Sequence, residues 1–384
     1  MTLKDAGSQL NETTFSAFLH SRTAKPSLLA LGEPTHGVEG FPLLRNRLFK
    51  HLVEHEGHRG IALESDCMAG LIVDDYVVNG VGDLDTVMRT GFSHGWGASP
   101  ANRELVVWMR EHNEGRAPAD RVHFYGFDAP TETMYAQSPR QPLTALLAYL
   151  GIEDTAGPLI GDDERWTNEA AAMDPSQSVG NLPEVAELRL LADDLVSRLW
   201  SRAPELIAAS PEAFWLAELH GRTAQGLLRY HAEMAGTSPE RLNTLCALRD
   251  TMMAHNLLAI AERGPAMVFA HNSHLQRDMS TMTMGEFKLE WWSAGAIAAT
   301  QLGDRYTFLA TTTGAAPGLL DPGPDTIEGA LSALPDDTYL FDAVRLAGEL
   351  GTGLAVSPTD YRYGPLDPAK LAEADGVVFI SSCA

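Results

Sequence analysis

"LALGEPTHGVEG", residues 29–40, is an apolar run that stops on Gly-Glu-Pro-Thr-His-Gly. Pro34 has no N–H to give a β-ladder and the flanking glycines favour turn geometry, so a strand ends here. Glu33 and His36 are thereby presented at a strand's carboxyl end, where open α/β sheets build their sites. Outward from this point, short β-rich runs recur between longer helical patterns: "SLLALGE" (27–33), "GIALES" (60–65), "RVHFYGFD" (121–128), "PAMVFAHN" (265–272), "RYTFLATTTG" (305–314) and "GVVFISS" (376–382). Strands alternating with helices predict an α/β fold whose mostly parallel central sheet is flanked by helices. Segments 39–57 and 66–80 have crossover length, and Leu44, Leu48 and Leu52 fall at helical spacing in the first.

Residues 181–262 break the alternation. "LPEVAELRLLADDLVSRLW" and "ERLNTLCALRDTMMAHNLLAIAE" are long amphipathic helices with almost no strand signal between them. The expectation is one α/β catalytic domain over 1–384, with a helical subdomain at 181–262 contributing to the cleft. The polar, Gly/Pro-punctuated stretch "DDERWTNEAAAMDPSQSVGN" (162–181) reads as the loop or hinge leading into it.

Composition narrows the function. With 384 residues and 45% hydrophobic content the chain can bury a sizeable core. A net charge of −23 argues against nucleic-acid backbones, which demand clustered Lys and Arg. "MTLKDAGSQL" carries no basic segment followed by an apolar h-region, and no apolar run reaches membrane-span length. Cys67, Cys246 and Cys383 are widely spaced and odd in number, which suggests neither a disulfide framework nor a zinc knuckle. Together these features predict a cytoplasmic protein with no nucleic-acid or membrane partner.

Four places put titratable groups at expected strand ends: Glu33 with His36, Glu64 in "IALES", Asp128 in "FYGFDAP", and His271 with His274 in "VFAHNSHLQR". In a parallel sheet these ends share one edge, so they can line a single crevice. A histidine flanked by carboxylates is what a general base needs, because the acid orients the ring and stabilises the imidazolium. Glu33 or Glu64 can serve His36 so, and His271, His274 or Arg45 can supply a donor to a developing oxyanion. No G-x-S-x-G elbow suggests a serine nucleophile.

Simpler readings stand beside each of these. His36 can be a capping or solvated turn residue, Glu64 can cap the following helix, and Asp128 before Ala-Pro can close an Asx turn. His271 and His274 can serve only the hydrogen bonding of their turn. Metal binding competes, since Glu33, His36, Glu64, His271 and His274 are all ligand types, and "HLVEHEGH" places His51, His55 and His58 close along a helix end. Arg249 and Asp250 lie beside a Met-rich helical face that can equally be core. "GWGASPANRELVVWMREHN" (95–113) reads as a glycine-rich loop capped by Ser99 or Asn102 into an amphipathic helix, its Trp96 and Trp108 either lining a pocket or simply buried.

Taken in order, "GEPTHG", "IALES", "FYGFD", "ANRELVVWMREHN", "LRDTMMAHN" and "FAHNSHLQR" resemble the motifs of the erythromycin esterase family, whose members are also described as succinoglycan biosynthesis-related proteins. The similarity runs from about residue 28 to about residue 314. It implies an α/β core with helical additions and a deep cleft in which His36 is the general base for water attack on a macrolide lactone. It also implies roles for Glu33, Arg45, Glu64, His271 and His274; the motifs do not decide on a metal, and the expectation is a small-molecule substrate turned over with neither metal nor cofactor. Pro34 stands where the family signature usually has alanine. The expectation is a hydrolase of an ester or macrolactone: His36 activates water, Glu33 and Glu64 orient it, His271 and Arg45 hold the carbonyl oxygen, and His274, Asp128, Trp96 and Arg249 bind substrate. Two other readings remain: a biosynthetic tailoring enzyme using the same acid/base site, and a binding protein that sequesters a ligand or metal.

Overall fold

Six of the strands expected from sequence are present in the computed structural model, which describes residues 3–132, 135–359 and 362–382, and two more join them. In chain order they are β1 (Gly7–Gln9), β2 (Leu28–Glu33), β3 (Gly60–Asp66), β4 (His123–Asp128), β5 (Ala266–His271), β6 (Tyr306–Thr313), β7 (Thr338–Asp342) and β8 (Gly376–Ile380). They form one sheet in the order β1-β7-β8-β6-β2-β5-β3-β4. From β8 through β6, β2 and β5 to β3 every pairing is parallel, whereas β7 and β1 add an antiparallel edge. Every residue of β2 and of β6 is buried, which is why these strands read as unbroken apolar runs rather than alternating ones.

The chain divides into two compact units. The first takes the residues up to Ser65, Ala69–Phe127 and everything from Leu257 onward. It contains the helices α1 (Glu12–His20), α2 (Gly40–His55), α3 (Gly70–Asn79) and α4 (Pro100–Asn113). Phe41, Leu44, Leu48 and Leu52 make up the apolar stripe of α2 and pack with Leu29, Leu31, Ile61 and Leu63 of the sheet. Each such side chain stabilises the fold by about 1.5–3 kcal/mol through burial alone. Past the end of α2, Gly57 takes φ 74°, and the N–H groups of Glu56 and His58 both reach the Leu52 carbonyl, closing the helix.

The second unit, Asp66–Met68 with Asp128–Asn256, is the helical one. Its helices are α5 (Arg140–Leu150), α6 (Pro183–Ser201), α7 (Pro211–Met234) and most of α8 (Arg241–Ala261). Leu143, Leu147, Leu188, Leu195, Phe214 and Leu228 form its core. It therefore includes residues well upstream of 181. The polar stretch 162–181 is a chain of short 3-10 turns pinned by Trp166, which is buried and donates its indole N–H to the Ile160 carbonyl. Cys67 and Cys246 are free thiols, and Cys383 lies outside the described residues. Among the described residues, no helix is long and apolar enough to cross a membrane.

Candidate active site

Register brings the first three acidic and basic groups together. Glu33, the last residue of β2, lies opposite His271, the last of β5. On the other side of β5, Leu63 of β3 pairs with Phe269, so Glu64 follows one step beyond and accepts the His271 backbone N–H through Oε2 at 2.8 Å. Two carboxylates thus flank the end of one central strand. Glu33 and Glu64 are 5% and 6% exposed, which holds them in a low-dielectric setting.

The turn after β2 carries His36 over this pair. Its Nδ1 lies 2.8 Å from Glu33 Oε1 and its Nε2 lies 3.8 Å from Glu64 Oε1. A carboxylate oxygen accepts, so Nδ1 carries the proton and the lone pair of Nε2 faces the Glu64 side. Trp96 and His271 meet the His36 ring edge-on, with centroids at 4.8 and 5.3 Å. Trp96 is itself fixed by an indole N–H bond of 2.7 Å to the Glu64 carbonyl. Burial raises the Glu33 pKa above its usual value, and the His36 contact works against that rise.

His271 has both ring nitrogens committed. The Pro34 carbonyl can only accept, so Nε2–H donates to it at 3.0 Å, and Nδ1 accepts from the Ser273 N–H and hydroxyl. Burial and the neighbouring His36 push its pKa down to about 3, which keeps the ring neutral. Expected beside a carbonyl oxygen, this imidazole braces the turn that presents His36; to hold an oxyanion it would have to exchange its bond to Pro34. The same carbonyl also accepts the Gly364 N–H at 2.7 Å, and a Cβ on Gly364 would stand 3.0 Å from the His271 ring. His274 follows on a short turn of helix, its Nε2 3.4 Å from Glu64 Oε1.

Arg45 reaches the site from α2. It is 1% exposed, and its Nε and Nη2 donate to Asn46 Oδ1 while Nη1 donates to Asn102 Oδ1 at 2.9 Å. The guanidinium also lies over the Phe269 ring at 4.9 Å. Amide oxygens are neutral, so these bonds fix its direction without cancelling its charge. Burial lowers its pKa to about 10, leaving it charged at neutral pH. Arg45, Glu33, Glu64 and Trp96 line a cavity of about 270 Å³.

Asp128 and Arg249 belong to the helical unit, where they are bonded to each other. The guanidinium grips the fully buried carboxylate bidentately at 2.6 and 3.0 Å. Ser99 caps α4, accepting the Asn102 N–H, which frees the Asn102 side chain for Arg45. Trp108 packs edge-on against Phe49. His51 is bonded to the Ser16 hydroxyl, which also reaches Glu56. Among the described residues, no three His, Cys, Asp or Glu side chains are arranged to hold a metal ion. The sequence reading gave Asn102 only as a helix cap and did not find Asn46 and Gly364; Asn46 had the signal of standing next to Arg45, whereas Gly364 had none.

A mostly parallel α/β sheet thus gathers at its strand ends a histidine between two buried carboxylates, with a buried arginine alongside. The chain belongs to the erythromycin esterase family, whose sequence profile matches residues 53–382. An erythromycin esterase type II from Escherichia coli is 29% identical over 103 residues, a match covering 27% of this chain and 23% of that protein. The chain therefore matches less than a quarter of that curated relative's length. Three solved structures share the fold over nearly their whole length. A Bacillus cereus protein superposes at TM-score 0.72 with 17% identity, covering 99% of this chain and 95% of that one. A succinoglycan biosynthesis protein does so at 0.66 with 16% identity and the same coverage. The erythromycin esterase EreC, as a point mutant in its open conformation, gives 0.68 with 18% identity, covering 98% and 95%.

Proposed function

We propose that the protein is a cytoplasmic hydrolase that cleaves an ester or macrolactone of a bulky natural product with water activated by His36. The single observation that carries this reading is the His36 ring held between two carboxylates, Nδ1 at 2.8 Å from Glu33 and Nε2 at 3.8 Å from Glu64. A separation of 3.8 Å is too long for a hydrogen bond but suits a water about 2.8 Å from each group. Such a water would lose its proton to Nε2 while Glu33 stabilises the imidazolium that forms. The tetrahedral oxyanion would find its donors in Arg45, whose fork has five N–H groups and uses three of them on asparagine oxygens, and in His274. Trp96 would contribute an apolar wall. The names of the E. coli relative and of EreC support a macrolide substrate and with it a part in antibiotic resistance.

The test is the product mass after incubating wild type and His36→Ala with a panel of macrolide lactones and simpler esters. The expected result is a gain of one water with wild type, lost in a variant whose circular dichroism and melting temperature match wild type. Cyclisation or dehydration adds no water and would point to the biosynthetic alternative. Turnover that survives His36→Ala would remove the proposed base.

A further inference from the structure

Glu328 is a fully buried carboxylate that the chemistry above does not use. It sits on the short helix Ile327–Leu331, 0% exposed. A carboxylate in such a place is costly unless its oxygens are bonded, and here both are. Oε1 accepts the Thr312 hydroxyl and the Leu366 N–H, each at 3.0 Å, and Oε2 accepts the Ser357 hydroxyl at 2.6 Å. An apolar side chain could pack this helix against the sheet equally well, but it would leave these buried donors unpaired.

The donors come from two parts of the chain. Thr312 belongs to β6, inside the sheet, whereas Ser357 and Leu366 stand on either side of Tyr363 and Gly364. Since the Thr312 hydroxyl gives its proton to Glu328, it accepts from the Tyr363 hydroxyl at 3.0 Å, and that hydroxyl in turn accepts the Thr313 N–H at 3.2 Å. Glu328 thus ties the chain to β6 on both sides of Gly364. At Gly364 the tie reaches the site, because its N–H donates at 2.7 Å to the Pro34 carbonyl, the oxygen that also accepts His271 Nε2–H. Pro34 lies in the turn that carries His36.

We propose that Glu328 is a positioning residue for the His36 turn: by fixing the chain around Gly364 on β6, it sets the Gly364 N–H against the Pro34 carbonyl and so holds His36 and His271 in place for hydrolysis. The proposal rests on the hydrolase reading for the reaction and on these bonds for the residue. A general base displaced by about an ångström loses rate far more than it loses substrate binding, so the effect is read in kcat.

Three variants test it. Glu328→Ala removes the tie, whereas Glu328→Gln keeps an oxygen for Thr312 and Leu366 and lets the Ser357 hydroxyl turn round to accept from the amide. Tyr363→Phe deletes a single hydroxyl of the tie and serves if Glu328→Ala does not fold. Amide hydrogen exchange, which needs no substrate, should be at least about tenfold faster at Gly364 in the Ala and Phe variants, with Val268 of β5 unchanged and the Gln variant like wild type. Equal acceleration at Val268 would show a general loss of stability and overturn the proposal. With an ester that wild type hydrolyses, kcat should fall at least about tenfold in the Ala and Phe variants at unchanged KM, and stay within about twofold of wild type in the Gln variant. Unaltered kcat in the Ala and Phe variants would equally overturn it. If wild type hydrolyses no ester of the panel, the hydrolase reading fails. The ring-proton resonances of His36, which the edge-on rings of Trp96 and His271 make sensitive to its position, then take the place of kcat. Displacement in the Ala and Phe variants alone supports the positioning role, and wild-type resonances in all three count against Glu328.

Discussion

At the scale of single residues the site depends on two histidines that do opposite things a few ångströms apart. His36 keeps one nitrogen toward Glu64 and its other on Glu33, whereas His271 spends both nitrogens holding the turn. Glu33→Gln separates orientation from charge, because the amide oxygen still accepts the Nδ1–H but no longer stabilises an imidazolium. The expected outcome is a kcat lower by about a hundredfold or more with KM little changed; steady-state kinetics on the wild-type substrate checks it, and an unaltered kcat would remove Glu33 from the chemistry. Glu33, His36, Glu64, His271 and His274 were legible in the sequence because each sits in a short run that stops at a strand end. Gly364 was not, since what gives it meaning is its contact with Pro34 and His271, distant along the chain.

Elements explain why those residues meet. Six strands could be read because buried parallel strands are continuous apolar runs, and the helices at 40–55 and 70–79 fall inside the crossovers expected from their spacing. The edge strand β1 and its neighbour β7 escaped because runs of three and five residues carry too little pattern to be read. At the junction of β2 with β5 the frame is closely packed. Asn272, just past β5, exchanges two hydrogen bonds with Thr311 of β6, and its side chain and Cα crowd the face of Gly32. A Cβ at Gly32 would overlap Asn272 Oδ1 and stand 3.0 Å from its Cα, backbone that cannot swing away. Gly32→Ala should therefore cost about 2–4 kcal/mol of stability, read as a lowered urea midpoint at unchanged m. A midpoint equal to wild type would mean that the β2–β5 junction is looser than its packing indicates.

On the scale of the whole molecule, a chain of net charge −23 has its acid tolerance set by buried imidazoles. Burial lowers the pKa of His58, His220 and His231 to about 4 and that of His271 to about 3. A histidine neutral in the folded chain but free to protonate when unfolded contributes stability that is fully present above its ordinary pKa of about 6.5 and lost as pH falls toward the folded value. Between about pH 6.5 and 5 each of these groups removes about 2 kcal/mol. Glu33 acts in the opposite sense, since its raised pKa makes the folded state bind the extra proton and stability is gained as pH falls through its folded pKa toward the ordinary carboxylate value. Urea midpoints should accordingly fall steeply from pH 7 to pH 5, before the carboxylates titrate. His58→Gln, a buried position outside the site, should flatten that slope by up to one proton while leaving catalysis at pH 7.5 unchanged. A midpoint independent of pH over this window would mean that these rings are already protonated, or solvated, in the native state.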